Sequence, residues 1–269
     1  MNMREHLIVK PGRRVRLEGH DPDDTPGHKK KSNVAPILER TTARLGELQY
    51  LLYAENKRAL LIVLQAVDTA GKDGTIRHVM AGLTPLGTRV KSFKGPTAEE
   101  LDHDFLWRVH QAVPPKGEVG IFNRSHYEDV LVVRVHKLAP PSTWSKRYEQ
   151  INVFERHLAD NNVVILKFFL HISKEEQRKR IQERIDDPKK RWKLSPMDFE
   201  ERKYWNDYQR AYEDAIATCS TPWAPWFIIP ANKKWFRNLA VSQIIVETLE
   251  SMKMKFPEPT FDISKYRLR

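Results

Sequence analysis

Cysteine is nearly absent from this chain: Cys219 is the only one among 269 residues, so neither an internal disulfide nor a thiolate zinc site can form. That suits a reducing compartment, and a cytoplasmic location is expected. No apolar run approaches the roughly 20 residues needed to cross a bilayer, and the opening MNMREHLIVKPGRR lacks the apolar centre of a secretory signal. No membrane partner is expected. The ten histidines are scattered without paired ligand spacing, no GxSxG nucleophile turn occurs, and no internal repeat or low-complexity tract is visible. Acid is also in deficit. With 35 Asp+Glu against 46 Lys+Arg the formal charge is +11, which favours a polyanionic partner: nucleic acid, an anionic membrane or a phosphate-rich substrate. Charge alone does not choose among them.

What the chain does contain is a stretch over 61–75, LIVLQAVDTAGKDGT, in which bulky apolar residues empty into a short loop and then a helical pattern. A buried strand, a Gly-containing turn and a helix start aim several backbone N–H groups and the positive end of a helix dipole at one spot. Ala70, Gly71, Gly74 and Thr75 would line that cradle, and Lys72 would add an ammonium for the outer phosphates. The Walker A spacing is imperfect, since Ala66 stands at the first glycine and Asp73 at the Ser/Thr after the lysine. An ordinary strand-to-helix turn is the alternative; it does not account for a lysine and two carboxylates, Asp68 and Asp73, crowded into it. A carboxylate facing phosphates is repelled unless a divalent cation lies between, so Asp68 is the leading Mg²⁺ ligand. Asp73 reads equally as a first-turn acid favoured by the helix dipole.

Along the chain, 1–32 is polar and basic, with Lys29, Lys30 and Lys31 in a row, and reads as an extension that drapes over the surface or is partly disordered. A single large domain over 33–269 follows. The pattern predicts an amphipathic helix over 34–55, a strand ending in the loop, a helix over 75–83, a strand at 89–93, and a helix over 97–113 opened by the Thr97/Glu100 capping box. Beyond the Pro114-Pro115 turn come a strand at 119–122, a helix over 127–137, a helix over 144–160 and the most apolar strand, 163–172. Ser173 and Glu176 cap a charged helix ending near 187, Ser195-Pro196 opens another, and a strand at 226–229 and a helix over 235–253 finish the core. Strands apolar on both faces alternating with helices indicate a three-layer α/β fold, with a parallel sheet covered on both sides and ligands at the strands' carboxyl ends.

On that same rim lies FNRSHYED (122–129). Arg124 is placed to clamp a phosphoryl group with its planar fork of donors, while the neutral Asn123 occupies the place where a P-loop enzyme puts a metal-handling carboxylate. The alternative is a strand-end Asn capping a helix, with Arg124 in a surface ion pair. The basic stretch 174–193, KEEQRKRIQERIDDPKKRWK, reads by itself as a solvated helix face; in a P-loop phosphotransferase it would form a lid, about 173–215, with Arg178, Lys189, Arg191 and Lys193 reaching the ligand. Trp192, Tyr204, Trp205, Tyr208 and Tyr212 recur at helical spacing and read as core.

Taken together, AVDTAGKDGTI, FKGPT, LWRVHQAVPPKGEVGIFNRSHYEDVLVVRV, FFLHISKEEQRKR, DDPKKRWKLSPMDFEERKYW and APWFIIPANKKWFRN closely resemble the polyphosphate kinase 2 family, over about 34–250. The resemblance implies a P-loop kinase fold similar to thymidylate kinase with a helical lid, dependence on Mg²⁺, and transfer of the terminal phosphoryl group of inorganic polyphosphate to a nucleotide. Asp68, Lys72, Arg124 and Arg134 fall on the family's functional positions. Asn123 departs from the Asp that many members carry, which bears on a direct carboxylate–metal contact there. Asn123 with Glu128, and the single-domain length, resemble the class that accepts both nucleoside mono- and diphosphates. Arg124, Arg134, Lys91 and Lys94 would spread charge over acceptor tails of either length. A homo-oligomer is expected and no nucleic-acid partner. An ATP-dependent nucleotide kinase, and a basic nucleic-acid-binding protein supported by charge alone, are the competing readings.

Overall fold

The structure, a computed structural model, describes residues 2–28 and 30–266; Lys29 of the lysine run lies outside them. Chain order runs α1 (Met3–Leu7), α2 (Ala35–Glu55), β1 (Ala59–Gln65), α3 (Lys72–Val79), β2 (Thr88–Ser92), α4 (Ala98–Asp102), α5 (Trp107–His110) and β3 (Val119–Asn123). There follow α6 (Val132–Val135), α7 (Pro141–Asp160), β4 (Val163–His171), α8 (Lys174–Asp186), α9 (Pro196–Glu200), α10 (Trp205–Cys219), β5 (Trp226–Pro230) and α11 (Lys234–Ser251).

Every residue of β1 is buried, so the strand has to be covered on both faces, which in a parallel sheet is the work of crossover helices. The sheet order is β2-β3-β1-β4-β5, and all four pairings are parallel. Side chains alternate across it. Leu60, Ile62 and Leu64 join residues of α2 and α11 in one apolar layer, and Ala59, Leu61 and Val63 join residues of α7 and α10 in the other. The three-layer α/β arrangement expected from the sequence is the one found. β1 lies between β3 and β4, so the loops leaving the carboxyl ends of β1 and β3 open a crevice where the strand order reverses, the position at which such sheets bind ligands.

Two expected helices are interrupted. The Thr97/Glu100 capping box forms, with both reciprocal bonds, but α4 stops at Asp102. Asp104 then starts a new turn: its carboxylate accepts from Leu106 N at 2.9 Å, and its carbonyl from Trp107 N at 3.1 Å. Over 127–137 a 3-10 turn, His126–Asp129, precedes the short α6. Here Arg147 Nη1 donates to the Asp129 carbonyl at 3.1 Å, occupying the acceptor that a continuous helix would give to the fourth residue on.

Within the N-terminal extension, residues 3–17 run over the surface and anchor to it through buried side chains. Met3, Val9, Val15 and Leu17 are buried. Met3 N and Arg4 N donate to the Glu247 carboxylate at 3.1 and 2.9 Å, and Val9 N donates to Trp226 O at 2.8 Å. The segment therefore covers the β5 edge of the sheet, whose unpaired backbone groups would otherwise face solvent.

Candidate active site

The chain leaves β1 at Gln65, turns through 66–71 and enters α3. Two residues of the turn adopt positive φ, Thr69 at +67° and Gly71 at +103°. A Cβ on Gly71 would sit 2.0 Å from Arg237 Nη1, so glycine is required here both for its backbone angle and for close approach. The carbonyls of Thr69 and Ala70 accept from Arg180 Nη1 at 3.2 and 2.9 Å, and Ala70 O accepts from Arg237 Nη1 at 3.2 Å. In a trans peptide the N–H points opposite to the carbonyl, so the two arginines turn the N–H of Gly71 away from themselves, while Ala70 N donates to Val67 O at 3.3 Å within the loop. α3 adds its unpaired first-turn N–H groups beside that of Gly71. Thr75 is buried, with its hydroxyl spent on Gly71 O at 3.1 Å, so it braces the loop from inside.

Lys72 is folded back over the cradle. Its Nζ donates to Ala66 O at 2.9 Å; burial lowers its pKa, and Asp68, the largest opposing influence, partly restores it. Asp68 would itself be raised by burial, but Lys72 and then Arg124 outweigh that and hold the carboxyl below its ordinary value. Arg124 Nη2 donates to Asp68 Oδ1 at 2.8 Å, and its Nη1 lies 3.8 Å from Glu128 Oε2. Burial lowers the pKa of Arg124, while Glu128 and Asp68 raise it further, so its charge is secure. The side chain is aimed by backbone geometry: φ at Arg124 is +62°, and Arg124 N donates to Leu64 O at 3.1 Å, which ties the end of β3 to β1. Asn123 Nδ2 donates to Asp73 Oδ1 at 2.8 Å. The structure thus brings Asp68, Lys72, Asp73, Asn123, Arg124 and Glu128 to one rim.

Beside them opens a cavity of about 280 Å³ whose walls include Asp68, Arg124, Glu128, Trp205, Tyr208 and Tyr212. The reading of the aromatic series as core holds for Trp205, Tyr208 and Tyr212, which also wall the cavity, and not for Trp192 and Tyr204. Only Tyr212 is fully buried, Trp205 and Tyr208 line the cavity, and Trp192 is 78% exposed. The helical period was right, and the aromatic face of α10 does both: it packs against the core and forms one wall of the cavity. Tyr208 is fixed by donating to Glu201 Oε2 at 2.7 Å.

The remaining cations lie further out. Lys91 and Lys94 are exposed at and just beyond the carboxyl end of β2, on the shared rim. Arg134 points elsewhere, donating to Asp214 Oδ2 at 2.7 Å and Tyr148 OH at 3.2 Å, with its guanidinium 4.8 Å from the centre of the Trp144 ring. Arg178 pairs with Glu175 at 2.6 Å on the solvent side of α8. Lys189, Arg191 and Lys193 are exposed. By contrast the first turns of α8 are bound to the phosphate loop, through Gln177 Nε2 to Asp68 O at 3.0 Å and through Arg180. Sequence reasoning missed Arg180 and Arg237, and also Arg184, whose charge helps lower Asp68. The available signal was that Arg180 and Arg237 lie within two of the family motifs, FFLHISKEEQRKR and APWFIIPANKKWFRN.

The donor set suits one hard cation shared with a ligand. Asp68 Oδ2 accepts no hydrogen bond from the described residues, Asp73 stands nearby, and no group of three or more His, Cys, Asp or Glu is assembled for a metal among those residues. Mg²⁺ typically uses one or two carboxylates, with water and substrate phosphates completing its shell.

A family model described as polyphosphate kinase 2 matches residues 28–257. A Meiothermus ruber protein named AMP/ADP-polyphosphate phosphotransferase is 57% identical over 252 residues, covering 93% of this chain and 94% of the relative. A Rhodopseudomonas palustris ADP-polyphosphate phosphotransferase is 48% identical, covering 94% of this chain and 91% of its own length. Among solved structures, polyphosphate kinase 2 from Arthrobacter aurescens TC1 superposes with a TM-score of 0.95 at 44% identity, covering 98% of this chain and 95% of that one.

Proposed function

The chain belongs to the polyphosphate kinase 2 family, and from that premise we propose that it transfers the terminal phosphoryl group of inorganic polyphosphate to AMP and to ADP, with Mg²⁺ as the metal. Polyphosphate-to-nucleotide transfer is the activity of the enzyme. Use of both acceptors and the choice of metal are our reading. One observation carries it: a single rim joins a phosphate cradle, an Asp68–Arg124–Glu128 chain of charges and an aromatic-walled cavity.

The residues divide the work by their chemistry. The loop N–H groups and Lys72 neutralise charge on the phosphoryl group in transit, in a pocket where burial strengthens every charge interaction. Arg124 orients phosphate oxygens with two donors, and its own position is held by Asp68 and Glu128. Trp205, Tyr208 and Tyr212 offer flat apolar surface to a nucleoside. Mg²⁺ held by Asp68 would supply Lewis-acid stabilisation of the phosphates. The attacking group is already an ionised phosphate oxygen of the acceptor, so no strong general base is required, and alignment with charge neutralisation suffices. Asn123, being neutral, adds no repulsion toward an acceptor tail. Lys91 and Lys94 would guide the long anion along the rim, Lys189 and Lys193 would reach it when the exposed 187–197 segment closes, and Arg178 would meet a long chain from its fixed place on the solvent side of α8. The involvement of Arg134 would require release from Asp214.

The test is a time course from pure AMP with polyphosphate and Mg²⁺, resolved by chromatography. ADP should appear first and ATP after it. If AMP stays untouched while ADP reacts, dual acceptor use is wrong; if neither reacts with polyphosphate but ATP serves as donor, an ATP-dependent nucleotide kinase replaces this reading.

A further inference from the structure

Arg237 is a buried cation with no anion. It is 2% exposed; Nε and Nη2 donate to its neighbour Asn238 Oδ1 at 3.2 and 2.8 Å, and Nη1 donates to Ala70 O at 3.2 Å. No Asp or Glu among the described residues lies within ion-pair distance. The charge bearing on it is Arg180 of α8, itself paired with Glu176 at 2.7 Å. Burial, and then the like charge of Arg180, bring the Arg237 guanidinium down to about 10.

An unpaired charge in a protein interior costs several kcal/mol, and a well-packed apolar side chain in its place is often neutral or stabilising. The hydrogen bonds to Asn238 and Ala70 offset part of that cost but supply no counter-charge. The location of Arg237 supplies a reason: the guanidinium lies flush beneath the phosphate loop and the first turn of α3, where a Cβ on Gly71 or Gly74 would come within 2.0 or 3.3 Å of it. A chain of phosphates on the other side of that thin backbone layer is the missing counter-charge, and little water can screen the two from each other.

We infer that Arg237 is a positioning residue for phosphate binding, which holds the Ala70 carbonyl so that the adjoining N–H faces the ligand and keeps a positive charge under the loop that the bound polyanion completes. This rests on the reading of 66–75 as the phosphate site. The arrangement serves affinity rather than stability of the empty enzyme, so the two should separate in a neutral variant.

The experiment compares the parent with Arg237→Met, Arg237→Lys and, as a control on the site itself, Lys72→Met. Binding of inorganic tripolyphosphate is measured by calorimetry and the ligand-free melting temperature by scanning fluorimetry. Arg237→Met should weaken tripolyphosphate by about tenfold or more while the ligand-free melting temperature moves little, because leaving Asn238 Oδ1 without its donor opposes the relief of an unpaired buried charge. A Kd within about twofold of the parent, with or without a drop in melting temperature, overturns the inference. Should Arg237→Met fail to fold, Arg237→Lys decides. A buried ammonium loses its proton at lower pH than a guanidinium, so the ratio of its Kd to that of the parent should climb several-fold between about pH 6.5 and 9. A flat ratio overturns the inference, because a purely structural contact does not follow that titration. If Lys72→Met also binds tripolyphosphate like the parent, the phosphate-site reading itself fails, a result distinct from failure at Arg237 alone.

Discussion

Burial gives Lys72 its leverage, and Asp68 draws its own from the two cations beside it, Lys72 and Arg124. Lys72 is 9% exposed, and Asp68 is held ionised by Lys72 and Arg124. Lys72→Ala and Asp68→Asn should each lower kcat by roughly two orders of magnitude or more, about 3 kcal/mol or more of barrier, with the circular dichroism spectrum unchanged. Steady-state rates on purified variants check this, and near-parental turnover in either removes that residue from the mechanism. Asn123 offers a finer test. Its amide donates to Asp73 at 2.8 Å, so Asn123→Asp sets two carboxylates side by side near the acceptor. ADP, which brings more charge than AMP, should lose more, and the ADP-to-AMP ratio of kcat/KM should fall. Since the site is solvent-accessible, stability should change by under about 1 kcal/mol. An unchanged ratio would show that Asn123 does not sense the acceptor tail.

Among the elements, β4 and the N-terminal segment meet at His171. The imidazole is 6% exposed, and burial, followed by the charge of His20, lowers it to about 4. The folded state therefore keeps His171 neutral through a pH range in which the unfolded chain is protonated. Stability should be full above about pH 6.5 and fall as pH drops toward 4, by about 3 kcal/mol at most. Urea midpoints against pH for the parent and His171→Gln measure it, and parallel curves would rule His171 out as the source. The charged helix α8 divides in two. Its first turns hold the 66–71 loop through Gln177 and Arg180, whereas Arg178, and beyond the helix Lys189, Arg191 and Lys193, face solvent. Arg178→Ala and Lys193→Ala should weaken polyphosphate-dependent turnover at low salt, with the defect shrinking as ionic strength rises. A rate and a salt response identical to the parent would mark both as plain surface charges.

At the scale of the whole molecule, the charge of +11 should act mainly on encounter with long chains. Raising salt from about 0.05 to 0.3 M should lower kcat/KM for long polyphosphate more than for tripolyphosphate, because a longer anion engages more of the cationic surface. Equal salt slopes for the two donors would confine the useful charge to the cradle. No helix among the described residues is long and apolar enough to cross a membrane.

The order of strands and helices, the strand–loop–helix turn over 61–75 and the rim it shares with Asn123 and Arg124 were legible in the chain alone, because hydrophobic period, turn residues and capping boxes are local signals. So was the family, through six motifs in sequence. Whether Arg134 or Arg237 faces the site was not. Arg134 sits in a motif yet bonds Asp214, while Arg237 lies 167 positions beyond Ala70, whose carbonyl it holds. Local pattern determines which face of an element is apolar; only the packing of distant elements across the sheet decides where a buried charge ends up, since that depends on which backbone groups the fold leaves for it to pair with.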